Sequence, residues 1–123
     1  MYRYDKQFKN VRNKIEGTGG EILAANFLKQ QKYKILQMNY SNKIGEIDII
    51  AQDKKTIVFV EVKRRQTLAY GRPVEAVDMR KANKIKKVAE IYLMLEGKSE
   101  SDVRFDVVEI VGDDINHIKN AFS

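Results

Sequence analysis

The sequence predicts a mixed α/β domain with a central sheet flanked by helices. Three observations carry that expectation. Residues 15–31 and 74–96 repeat apolar side chains at helical spacing. Between and after them lie four or five shorter runs rich in β-branched and aromatic residues. The segments joining these runs are mostly short and polar, with Asp, Lys, Ser and Gly at the turns. The order is helix, three strands, helix, then one or two strands.

Residues 1–14 form a basic arm carrying Tyr2, Tyr4 and Phe8. A frayed tail, an arm on nucleic acid and a segment packed on a second subunit all fit it equally. Residues 15–123 read as one domain. In the first helix Leu23, Ala24, Phe27 and Leu28 form an apolar arc. Gly17, Gly20 and Ala24 lie on or near that arc, and small residues there let a helix approach a sheet closely. Glu21 sits at the arc's edge, where it either reaches over the sheet toward a metal or water or stays a surface carboxylate. The Gly-Thr-Gly-Gly run at 17–20 does not follow a strand, so it is not read as a phosphate-cradling loop.

A first strand is expected over residues 33–40, with a turn at 41–43. Strands over 46–51 and 56–63 follow, joined by a tight turn at 53–55. Residues 64–73 read as a loop holding Arg64, Arg65, Arg72, a tyrosine, a glycine and the only proline. Such a loop suits a nucleic-acid backbone, and equally suits a plain crossover. The second helix ends at Gly97, with Ile85, Val88, Ala89, Tyr92 and Leu95 as its buried stripe. Five of the eight residues 80–87 are basic. Most of that run reads as a solvated face, but Lys81 precedes Ile85 by four residues and projects along the stripe. It either snorkels or aims at the site. A strand over 103–111, a turn at Asp113-Asp114 and an edge strand or helical turn over 115–122 complete the chain. His117 reads as structural.

Composition narrows the function. The 123 residues contain no cysteine and one histidine, so thiolate metal sites and disulfides are excluded. No apolar run approaches the roughly 20 residues needed to span a bilayer, and no secretory signal opens the chain, so a cytoplasmic location is expected. A net charge of +6 points to an anionic partner, most simply nucleic acid.

The chemistry concentrates in residues 45–65, Gly-Glu-Ile-Asp-Ile-Ile through Glu-Val-Lys-Arg-Arg. By strand alternation Glu46, Asp48 and Ile50 share one face, with Ile47 and Ile49 on the other. Ile57, Phe59, Glu61 and Lys63 likewise share a face. A carboxylate in such a strand costs several kcal/mol of desolvation unless compensated. With neighbouring strands roughly 4.8 Å apart, Asp48 and Glu61 can enter one pocket, where a divalent cation is the natural partner of two repelling charges. Lys63 would orient a water or neutralise charge on a phosphate. The plainer alternative is an Asp48–Lys63 or Glu61–Lys63 ion pair at a half-wet sheet edge.

These motifs in this order resemble the PD-(D/E)XK nuclease superfamily. More narrowly they resemble the YraN-like family of small bacterial proteins, related to archaeal Holliday-junction resolvases. The matching positions are Gly17, Gly20 and Glu21; Asn39; Gly45 through Ala51; Phe59 through Lys63 with Arg65; Gly71-Arg72-Pro73; Lys81; and Arg104-Phe105-Asp106. The proline of the older Pro-Asp motif is replaced by Ile47, as in the resolvase-like branch. The resemblance implies a three-layer α-β-α, restriction-endonuclease-like fold around a mixed sheet. It implies a metal-dependent endonuclease acting on phosphodiesters of nucleic acid, structured or branched DNA before RNA. Asp48, Glu61, Glu21 and the backbone carbonyl of Val62 would hold Mg²⁺ or Mn²⁺; Glu46, on the face of Asp48, is either an outer ligand or solvent-facing. Lys63 would complete the catalytic set, and Arg64, Arg65, Arg72 and Lys81 would bind the nucleic-acid backbone. A junction-specific enzyme would need two such sites, hence a homodimer. The alternatives are an inactive nucleic-acid-binding module on the same fold and a structural or adaptor protein.

Overall fold

The computed structural model describes residues 19–65 and 78–123. The basic arm, Gly17 and the Gly71-Arg72-Pro73 motif lie outside that range. The described chain runs α1 (helical over residues 19–30), β1 (Lys34–Ser41), β2 (Glu46–Asp53), β3 (Thr56–Arg65), α2 (Met79–Leu95), β4 (Asp102–Val111) and β5 (Asp114–Ile118). The five strands form one sheet in sequence order. β3 and β4 are parallel and the other three pairings antiparallel, so the sheet is mixed. A parallel pair requires a crossover, and α2 lies in it.

The two helices cover opposite faces. Ala24, Ala25 and Leu28 of α1 pack with Ile49, Ala51, Val58, Val60, Val108 and Ile110. Ile85, Val88, Ala89 and Tyr92 of α2 pack with Ile47, Ile50, Ile57 and Phe59. The order of elements predicts a central sheet flanked by helices, and this is the three-layer α-β-α form of it that the resemblance implies. β3 is buried on both faces from Ile57 to Glu61, which explains its unbroken apolar run.

Both helices end in the same motif. After α1, the Tyr33 N–H bonds the Leu28 carbonyl and the Lys32 N–H bonds that of Lys29, with Lys32 left-handed at φ 74°. After α2, Lys98 bonds Leu93 and Gly97 bonds Met94, with Gly97 at φ 68°. These are the paired bonds of a Schellman motif. Gly97 signals its helix end in the sequence, whereas Lys32 does not.

Several expected boundaries and faces shift. α2 begins at Met79, not at residue 74, because Asp78 is extended and its carboxylate caps the Lys81 N–H at 2.9 Å. Arg64 and Arg65 belong to β3 rather than to a loop, paired with Ile110 and Val111. Leu23 and Leu95 are not core residues: they are 43% and 70% exposed, and Ala25 and Leu93 are buried instead. Each helix is rotated slightly from the arc expected of it. β5 settles the final segment as an edge strand.

The most consequential correction concerns β2. Ile47 does not share a face with Ile49; it packs with Ile50 under α2. On the neighbouring strand Met38 faces α1 while Tyr40 faces α2, although both alternate alike. Between them Asn39 adopts φ 53°, opposite Asp48 in the β1–β2 register. Asparagine tolerates that left-handed backbone better than most residues. The strand pair therefore turns over at Asn39 and Asp48.

At the other side of the sheet β4 and β5 are held by a buried polar network. Asp106, fully buried, accepts from Arg104 Nε at 2.9 Å and Nη2 at 3.0 Å and from the Asn120 N–H at 2.9 Å. His117 Nε2 lies 2.7 Å from its second oxygen, which fits the structural role expected for that histidine. Arg104 also reaches Asp53 at 3.2 Å and donates to the Tyr33 hydroxyl at 2.6 Å, so one guanidinium ties together β2, β4 and the end of α1. Burial alone would raise the Asp106 carboxyl, but its bonds to His117, Arg104 and Asn120 outweigh that and hold it below the usual range. Removing this carboxylate costs the half-buried Arg104 its two-pronged partner and leaves His117 and the Asn120 N–H without their acceptor. Asp106→Ala is expected to lower stability by about 3–5 kcal/mol in urea denaturation, and a loss below about 1 kcal/mol would contradict this account.

Candidate active site

The β2–β3 ladder runs from Asp53 and Thr56 to Ile49 and Val60 and then stops. Continuing the same register would set Val62 opposite Ile47. Instead the Val62 N–H donates to Asp48 Oδ2 at 2.8 Å. The side chain of Asp48 thus replaces a backbone acceptor at the point where the strands part. A buried N–H must be satisfied, and here a carboxylate satisfies it.

The gap between the strands opens a cavity of about 420 Å³ lined by Glu21, Glu46, Asp48, Glu61, Lys81, Lys84 and Ile85. Glu21 reaches it from α1, Lys81 and Lys84 from α2, and the others from β2 and β3. Glu61 is 6% and Glu21 9% exposed, so Glu21 is not a surface carboxylate. Glu46 is exposed at the rim. Glu61 Oε2 receives two ammonium groups, Lys63 Nζ at 3.2 Å and Lys81 Nζ in closer contact. The Glu61–Lys63 ion pair therefore forms, and Lys81 aims at the site rather than snorkelling.

Burial and the neighbouring Glu61 charge push the Asp48 carboxyl up to about 8, against a weaker opposing pull from the Val62 N–H. The charge of Glu21 and a hydrogen bond with it add to the rise. Two carboxyls can share a hydrogen bond only if one is protonated, and the raised Asp48 supplies that proton. For Lys81, burial pulls downward, but hydrogen bonding to Glu61 and the charges of Glu61 and Asp48 prevail and raise it. It stays charged.

The remaining expected residues divide. Arg64 lies on the α1 face, its stem across Gly19 and Gly20; a Cβ on Gly20 would come within 3.2 Å of Arg64 Cδ. This is the close approach that Gly20 was expected to allow. Arg65 turns to the α2 face and pairs with buried Glu109, its Nε 2.7 Å and Nη2 2.6 Å from Oε2. Arg72 lies outside the described residues. Lys84 is exposed, as its place in a basic run suggests, and lines the cavity from its rim. Its spacing, three residues after Lys81, puts the two lysines on one side of the helix.

The donors around the cavity are carboxylate oxygens, which suit a hard divalent cation. Among the described residues no three His, Asp or Glu side chains are grouped to cage a metal by themselves. The fit is therefore to an ion that takes one or two carboxylates and completes its shell with water or substrate oxygens, as Mg²⁺ commonly does. Asp48 and Glu61 would hold it, with Glu21 acting on Asp48. No helix among the described residues is long and apolar enough to cross a membrane.

Comparison with known proteins places this geometry in a family. The chain is 45% identical over 108 residues to a UPF0102 protein of Persephonella marina, covering 88% of this chain and 93% of that one. It is 46% identical over 117 residues to a UPF0102 protein of Clostridium botulinum strain Loch Maree, covering 89% and 95%. It is 47% identical over 117 residues to one of Caldicellulosiruptor saccharolyticus, covering 89% and 99%. The model of the family described as "Uncharacterised protein family UPF0102" matches residues 20–110, which span the cavity and both of its flanking helices. The chain belongs to the UPF0102 family.

Proposed function

We propose that this protein is a metal-dependent nuclease of PD-(D/E)XK type, hydrolysing phosphodiester bonds in nucleic acid, structured or branched DNA before RNA. One observation carries the reading. Asp48 and Glu61, on strands that part, line one cavity, and Lys63 sits on the same Glu61 oxygen. A Mg²⁺ or Mn²⁺ ion held there would lower the pKa of a bound water and polarise a phosphoryl oxygen.

The chain's own residues then divide the work. Asp48 is fixed by the Val62 N–H, and Glu21 hydrogen-bonds it from behind, so its carboxylate is aimed before any ligand arrives. Lys63 holds a positive charge beside Glu61, where it would orient the attacking water or meet charge developing on the phosphate. Lys81 and Lys84 line the mouth from α2 and would receive the backbone phosphates. The net charge of +6 supports an anionic partner. Arg64, exposed beyond the site, extends the basic surface. If the substrate is a junction, cleavage of both strands calls for a homodimer.

A second reading is favoured by the absence of a three-carboxylate cage among the described residues and by the two lysines already neutralising Glu61. On it the same cavity only binds nucleic acid. That version predicts DNA affinity that falls steeply with salt and is unchanged by Asp48→Ala.

The direct test is cleavage of branched, flapped and single-stranded DNA with Mn²⁺. Glu61→Ala and Lys63→Ala are each expected to lower the rate by about 100-fold or more. Equal cleavage by wild type and Glu61→Ala would assign the activity elsewhere.

The Asp48 proton gives a test in the metal-free protein. Its carboxyl is raised from 3.8 to about 8 on folding, so between those values the folded chain binds a proton that the unfolded chain lacks. Stability from this group is therefore lost as pH rises through the window. In chelator, the melting temperature of wild type should fall across it relative to Asp48→Asn. Saturating Mn²⁺ should remove the difference in slope.

A further inference from the structure

We propose that Lys81 is a resident counter-cation on Glu61, that a divalent ion displaces it, and that the released ammonium then serves the phosphate. The inference rests on the metal-dependent reading above.

Glu61 carries two ammonium groups on one oxygen, from Lys63 and Lys81. Its side chain is 7% exposed, so water contributes little to screening there. A divalent ion on the same carboxylate would crowd three positive groups around it, and like charges at that range disfavour one another. One ammonium has to leave.

The structure shows which one is free to go. Lys63 stands two residues along the same strand, paired in register with Glu109 of β4, and its side chain is 26% exposed. Lys81 reaches in from the first turn of α2 and is 42% exposed. Its backbone is fixed by the Asp78 cap, while its side chain lies at the open mouth of the cavity. A small rotation carries its ammonium outward without moving the helix.

The place it moves to is already basic. Lys84 lines the same mouth one turn along, and its stem lies over Gly45, where a Cβ would come within 3.2 Å of Lys84 Cδ. Without a side chain at Gly45, the Lys84 stem can lie across the turn between β1 and β2. After exchange, the floor of the cavity is neutralised by the metal and its rim presents Lys81 and Lys84 together. Metal uptake thereby prepares the rim for a phosphodiester, and the coupling is reciprocal.

Calorimetric titration with Mn²⁺ tests this on wild type and Lys81→Met, with Lys81→Gln as a second variant should the first fail to fold. Both variants are expected to bind Mn²⁺ about tenfold more tightly than wild type, since nothing then has to be displaced. Metal-free, they should melt below wild type, because Glu61 has lost a partner. A dinucleotide phosphodiester should bind wild type more tightly with Mn²⁺ than without, and the gain should be smaller in the variants, which keep the metal's own contact but lack the released ammonium. If wild type binds Mn²⁺ and the variants bind no tighter, displacement is wrong while the metal site stands. If wild type takes up no Mn²⁺, the metal reading and this inference fall together.

Discussion

The structure turns on one hydrogen bond, from the Val62 N–H to the carboxylate of Asp48. A sheet can part between two of its strands only if the freed backbone groups find other partners. Asp48 supplies one. Asn39, opposite it with a left-handed backbone, lets β1 and β2 turn over at the same point. From these follow the gap, the entry of Glu21 from one helix layer onto Asp48, and that of Lys81 from the other onto Glu61. The site lies where the ladder fails, and the failure is built from residues suited to it.

The second constraint is the cost of buried charge. Three carboxylates deep in the sheet are answered by cations, but not in the same way. Asp106 is gripped by Arg104 through two guanidinium nitrogens, and Glu109 receives two nitrogens of Arg65. Those pairs are planar, directional and permanent. Glu61 is answered by two lysines, which are point charges on flexible stems. Arginine secures the frame, and lysine lines the cavity. Asp48 is answered differently: burial and the Glu61 charge hold its proton up to about 8.

Much of this could be read from the chain itself. The apolar run of β3, the helical spacing around Val88 and the glycine after α2 each act locally, so the order of layers and strands was legible. Glu61 and Lys63 stood out because ionised groups ended an otherwise apolar strand. The rest depends on contacts distant in sequence. Strict alternation put Ile47 with Ile49, and nothing local shows that Asn39 reverses the strand there. Arg65 looked like a phosphate ligand because its partner, Glu109, is 44 residues away. Glu21 reads from its spacing as either a surface carboxylate or a reach over the sheet, and only its burial in the packed fold decides between them. Lys84 stays exposed, as a basic run suggests, and its spacing from Lys81 brings it to the cavity rim.

The central claim is that Asp48 and Glu61 together take a divalent cation. Thermal melting with and without Mn²⁺, on wild type and Glu61→Ala, tests it most directly. Binding to the folded state alone raises the melting temperature by mass action. The account predicts a rise for wild type that grows with Mn²⁺ concentration and no rise for Glu61→Ala. An equal response of the two proteins, or none from either at millimolar Mn²⁺, would contradict it.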